Sequence, residues 1–195
     1  MADLPENSVH PTTRAEWRAW LERNHARPEG VWLVSYKTTT GKPRVPYEEA
    51  VEEALCFGWI DSKAVTLDDE RAMQWMSPRK PGTGWSRTNK ERVERLMADR
   101  QIAPPGLAKI EAARADGSWS LLDASEALEV PADLEQALAS YPDAARYFHA
   151  FPPSVRKQIL QWITLAKKPE TRAARIAETA RLANENVRAN QPRPK

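Results

Sequence analysis

The sequence predicts an α+β fold, with a small antiparallel sheet packed by helices and followed by an all-helical C-terminal part. Two observations carry this reading. Valine- and aromatic-rich runs at "GVWLVSYK" (30–37), "WIDSKAVTL" (59–67) and "RAMQWMSP" (71–78) have strand character and lie among helical patterns. Beyond residue 103 only helical patterns remain, each opened by proline at 104–105, 131, 142, 152–153 or 169. A chain of 195 residues, 41% apolar and 29% charged, can form one sizeable core or two small ones. The expected division is an α+β domain over 1–118 and a helical region over 119–195, ending in a basic helical hairpin and a frayed tail.

Each element has a local cause. In "TRAE" (13–16), Thr13 can cap a helix and Glu16 can reach back, the capping-box pattern, and Trp17, Trp20, Leu21 and Asn24 follow at helical spacing. After the first strand, "TTTGKPRVP" is a polar loop. Pro46 suits a first helical position, Glu48 and Glu49 suit a helix N-terminus, and Gly58 suits a left-handed helix end. The acidic turn "DDE" (68–70) joins two extended runs into a hairpin. Ser86 opens a helix with Val93, Leu96 and Met97 on its apolar edge. Residues 152–183 form a helical hairpin turning at Lys167–Pro169. Its stripe of Val155, Ile159, Trp162, Ile163 and Ala166 is expected to dock onto the N-terminal part. "NENVRANQPRPK" at the end lacks apolar content and reads as frayed.

Composition excludes several functions. The longest apolar run, "ALCFGWI", is seven residues, against the roughly 20 needed to span a membrane. The first residues show neither a basic n-region nor an apolar h-region, and the single cysteine cannot make an internal disulfide, so a cytoplasmic protein is expected. The net charge of +2 is uneven. From residue 150 onward ten Lys or Arg face three Asp or Glu, giving +7 there and −5 before it. A solvated helix surface is the plainer explanation; nucleic-acid binding through Arg156, Lys157, Lys167, Lys168, Arg172 and Arg175 is the sharper one, and it is expected to be weak and sequence-independent.

Among chemical candidates, Cys56 sits near a helix C-terminus and beside Glu49, Glu52 and Glu53, all of which disfavour a thiolate nucleophile. His10, His25 and His149 have no metal-ligand spacing, so no metal and no cofactor is expected. "PGTGWS" (81–86) lacks the phosphate-loop lysine, although Arg79 and Lys80 precede a helix N-terminus where an anion could sit. Strand alternation places Trp59, Asp61 and Lys63 on one side and Ile60 and Ala64 on the other. A buried Asp61 needs a partner, for which Lys63, Arg79 and Asn89 are available. An ion pair within the fold is one reading. A pocket lined by Trp59, Trp75 and Trp85 is the other, with Trp59, Asp61, Arg79, Trp85 and Asn89 as the candidate ligand site.

"EEALCFGWIDSK", "MSPRKPGTGWSRTNKERVERL", "GLAKIEAARADGSW" and "AKKPETRAARI" resemble the YdeI/OmpD-associated, or bacteriocin-protection, family of bacterial proteins. The resemblance implies a link to resistance against bacteriocins or antimicrobial peptides, with no reaction or catalytic set attached. The combined expectation is a binding protein, more a non-enzyme than an enzyme, whose partner is a small molecule or a peptide. The rivals are the nucleic-acid binder and an enzyme using Asp61 as a base in a tryptophan-lined cleft.

Overall fold

The computed structural model describes residues 3–191, which fall into two compact units. Among the described residues the first comprises 3–83 and 88–119, the second 84–87 and 120–191. The α+β class is as expected.

In the first unit the order is β1 (Ser8–Val9), α1 (Arg14–Asn24), β2 (Val31–Tyr36), α2 (Tyr47–Cys56), β3 (Trp59–Thr66), β4 (Arg71–Pro78), α3 (Arg87–Ala98) and α4 (Pro104–Ala115). The sheet order is β1-β2-β4-β3, antiparallel except that β1 lies parallel to β2. The sheet is therefore mixed rather than purely antiparallel. A two-residue strand held by pairing with β2 leaves no periodic signal in the sequence.

Helix α1 begins as its pattern predicts, with the Glu16 N–H donating to Thr13 Oγ1 at 3.2 Å. The return contact is displaced by one residue: the Glu16 carboxylate accepts from the Thr12 N–H, at 2.7 Å. Trp17 and Leu21 are fully buried, Trp20 stacks on Trp17, and the Trp17 indole donates to the Ala50 carbonyl of α2 at 3.0 Å. Each such buried apolar side chain contributes roughly 1.5–3 kcal/mol. Pro46 is the residue before α2 rather than its first. Gly58, with φ +75°, turns the chain from α2 into β3 as expected.

Residues 50–56 of α2 are all buried, Glu52 and Glu53 included. That arrangement is tolerable because arginines reach both carboxylates. Arg14 contacts Glu52 at 3.0 Å and Glu53 at 2.6 Å, Arg18 contacts Glu53 at 2.7 Å, and Arg95 contacts Glu52 at 2.6 Å. The desolvation cost of two buried carboxylates is thus offset by direct charge pairing.

The hairpin contains an irregularity. Asp61 faces Met76 and Ala64 faces Gln74, so three steps along β3 match two along β4. This bulge reverses the alternation beyond it. Ala64 consequently shares the Asp61 face, correcting the strict alternation expected from sequence. Lys63 instead lies over the Trp32 ring, 5.1 Å from its centre.

The second unit contains α5 (Asp123–Glu126), α6 (Ala132–Ala139), α7 (Ala144–Ala150), α8 (Pro153–Thr164) and α9 (Pro169–Asn184). The stripe of α8 packs within its own unit. Val155, Ile159 and Ile163 pack with Leu134, Leu138, Phe148, Ile176 and Ala180 of the unit's own helices. The expected frayed tail also needs correction as far as residue 191. Asn186 and Asn190 take left-handed turns, Ala189 is buried in this core, and Gln191 donates to Gln158. Residues 192–195 of that segment lie outside the described residues.

Candidate functional site

A cleft of about 440 Å³ opens on one face of the first unit's sheet. Its floor is built from alternate residues of three strands: Leu33 and Ser35 of β2, Ala72, Gln74 and Met76 of β4, and Ala64 of β3. Register explains the void. Ser35 pairs with Ala72, two small side chains meeting, and Ala64 is small beside Gln74, where larger residues would fill the space. Val45 and Ala50 add apolar wall, and the segment Lys37–Thr39 with Arg44 and Tyr47 forms the rim.

That rim is anchored. The Lys37 N–H donates to the Glu70 carbonyl at 2.7 Å, and its ammonium donates to the Asp68 carbonyl at 2.7 Å. The Lys42 ammonium meets both Glu70 oxygens at 2.7 and 2.6 Å, and Asp68 pairs with Arg71 at 2.7 Å. The acidic turn read from "DDE" thus ties down the loop before α2. Gly41, with φ +65°, gives that loop a conformation most residues resist.

At the β3 side of the cleft, the Tyr47 hydroxyl donates to Asp61 Oδ2 at 3.0 Å and the Gln74 amide donates to the same oxygen at 2.9 Å. Burial, with the Asp61 charge adding, holds the Tyr47 phenol above its ordinary value. Asp61 is half-buried, and the hydrogen bonds recorded for it come from these neutral donors rather than from Lys63 or Asn89.

The other sequence-selected residues distribute unevenly. Trp59 is fully buried, its indole donating to the His25 carbonyl at 3.1 Å and meeting Trp20 edge-on. Arg79 is buried, and desolvation pushes its guanidinium down to about 10, with the Asp61 charge opposing. Asn89 is buried and accepts from Arg92 at 2.7 Å. Trp85 is buried and belongs to the second unit. Trp75 packs edge-on against Trp32. None of these residues lines the cleft. Asp61 reaches it through Tyr47 and Gln74. Sequence reasoning missed Ser35, Ala64 and Ala72, whose small size is a signal only once the register is known, and Arg44 on the rim loop.

Three of the six basic residues are engaged within the second unit. Lys157 pairs with Glu126 at 3.3 Å and Arg172 with Asp133 at 2.9 Å, while Arg175 donates to the Trp162 carbonyl and covers that ring. Arg156 is half-buried; Lys167 and Lys168 are exposed.

Cys56 is fully buried, and burial pushes its thiol up to about 11, with Glu53 adding to the rise. Only the thiolate alkylates, so at pH 7.5 Cys56 is expected to react with iodoacetamide far more slowly than a free thiol of pKa about 8.5. The rate should keep rising toward pH 11 instead of levelling near 9. A fast, pH-independent reaction in the folded protein would contradict this placement.

Residues 9–109 match a family model described as Domain of unknown function (DUF8412), just over half of the chain. The chain belongs to the DUF8412 family. The whole cleft lies within the DUF8412 segment. Residues 127–186 match a second model, described as Bacteriocin-protection, YdeI or OmpD-Associated, so the resemblance read from the sequence stands on this C-terminal part. The blocks "EEALCFGWIDSK" and "MSPRKPGTGWSRTNKERVERL" fall instead in the DUF8412 match. No curated protein and no solved structure matches the chain. Among the described residues no helix is long and apolar enough to cross a membrane.

Proposed function

We propose that this protein is a bacterial, cytoplasmic, non-enzymatic binding protein serving bacteriocin or antimicrobial-peptide protection, and that the sheet-face cleft is its ligand site. The observation that carries the reading is the cleft itself: about 440 Å³ of space over an apolar floor, bordered by a few fixed polar groups. This size and composition suit a small organic ligand bound through its apolar body and oriented at its ends. The protective role rests on the description of the family matched over residues 127–186. An enzyme using Asp61 as a base is less favoured, because two donors already occupy its Oδ2. Nucleic-acid binding is less favoured because three of the six basic residues, Lys157, Arg172 and Arg175, are engaged within their own unit.

Native mass spectrometry of protein purified from its own host tests the proposal. The parent is expected to retain a small molecule that is absent from Ala72→Trp, whose indole would occupy the cleft, and from Ala64→Trp on the exposed edge strand. Retention by both folded variants would place the ligand elsewhere, and a parent free of any small molecule would remove the support for this site.

A further inference from the structure

We infer that the cleft selects a ligand with an apolar body and one anionic group, and that Arg44 is the residue that receives the anion. This rests on the cleft being a binding site. Four cations gather at this end of the sheet, on the rim loop and the start of β4, and three of them are satisfied by the chain itself. Lys37 donates to the Asp68 carbonyl, Lys42 to both Glu70 oxygens, and Arg71 pairs with Asp68. Arg44 lines the cleft and is half-buried, yet it makes no hydrogen bond or ion pair with any of the described residues.

A guanidinium partly withdrawn from water carries a desolvation cost that a carboxylate, sulfonate or phosphate would offset with paired, charge-assisted hydrogen bonds. The hydroxyls of Ser35, Thr38 and Thr39 line the same cleft and can donate to the same anion. The nearby acid that could have neutralised Arg44 is committed elsewhere: Glu70 to Lys42 and Asp68 to Arg71. The rest of the floor, Leu33 and Met76 among it, offers apolar surface with an adaptable methionine, which accommodates a hydrocarbon or aromatic body without demanding one shape. A cationic peptide has the wrong sign for Arg44, so protection through this site would act by way of a small anion rather than by capture of a cationic peptide.

Two fluorescent probes with nearly the same aromatic body decide the matter: 1-anilinonaphthalene-8-sulfonate, an anion, and N-phenyl-1-naphthylamine, which is neutral. Titrations use the full chain, its Arg44→Gln and Arg44→Lys variants and Ala72→Trp. Arg44→Gln is expected to weaken the sulfonate probe about tenfold or more, as loss of a charged hydrogen-bond partner does, and to leave the neutral probe unchanged. Arg44→Lys should restore part of the loss, and added salt should weaken only the sulfonate. Ala72→Trp should weaken both probes. If both probes bind, both are weakened by Ala72→Trp, and Arg44→Gln affects neither, the anion assignment is overturned while the cleft stands. If neither probe binds, or Ala72→Trp changes neither, the cleft reading falls and the anion assignment with it.

Discussion

Gly106→Ala is expected to destabilise the first unit by about 3 kcal/mol, at the upper end for adding one carbon to a packed site. Gly106 sits in the first turn of α4, where that helix crosses the end of α2. A Cβ there would lie 2.2 Å from the Cys56 carbonyl oxygen, 2.7 Å from its carbon and 2.9 Å from the Leu55 oxygen. All three are backbone atoms, so no rotamer change relieves the clash. The Cys56 carbonyl also accepts from the Ala103 N–H at 3.0 Å, and moving α4 away would break that bond. Gly41→Ala serves as the comparison. Nothing lies within 4 Å of its added carbon, so only the left-handed backbone matters and the cost should be about 1 kcal/mol. Urea titration of both variants checks the ordering, and equal midpoints would show that α2 and α4 do not cross as closely as described.

Glu53→Ala is expected to cost about 2–3 kcal/mol, because truncating one side of a buried ion pair leaves its partners unsatisfied. Glu53 is only 2% exposed and holds both Arg14 and Arg18. The arginine side chains are each about one-third exposed, at 34%, so water recovers part of the loss and the cost stays below that of a fully buried pair. Glu53→Gln keeps the shape and one acceptor and should lose less. Denaturation of the two variants beside Glu16→Ala, whose contacts are at the surface, separates this effect from a general response to lost negative charge. A Glu53→Ala variant as stable as the parent would mean that the arginines find equivalent partners elsewhere.

Much of the fold was legible because its causes are local. The cap at Thr13, the break at Gly58, the hairpin around "DDE" and the prolines opening α4, α8 and α9 are properties of a few consecutive residues. What could not be read depends on pairing between distant segments. β1 is two residues whose strand character comes only from β2. The bulge after Asp61 moves Ala64 onto the cleft face, and no alternation rule anticipates it. Burial of Ala189 comes from a side chain fitting the second unit's core, in a segment whose polar composition reads as loose. Trp59, Trp75 and Trp85 are the cleft-lining candidates of the sequence, but Trp59 and Trp85 are core and Trp75 packs against Trp32. The space between sheet and rim is made by what is small, Ser35, Ala64 and Ala72, and small residues announce nothing until their register is known.

Ligand is expected over the Ser35–Ala72 pair and not against the tryptophans. Amide and indole NMR signals followed during titration with N-phenyl-1-naphthylamine test it most directly. The largest shifts are expected at the amides of Ser35, Val45, Tyr47, Ala72 and Gln74, with the indole signals of Trp17, Trp59 and Trp162 nearly unmoved. Shifts centred on Trp32 and Trp75, or on Trp162 and Leu165 of the second unit, with the cleft amides silent, would contradict it.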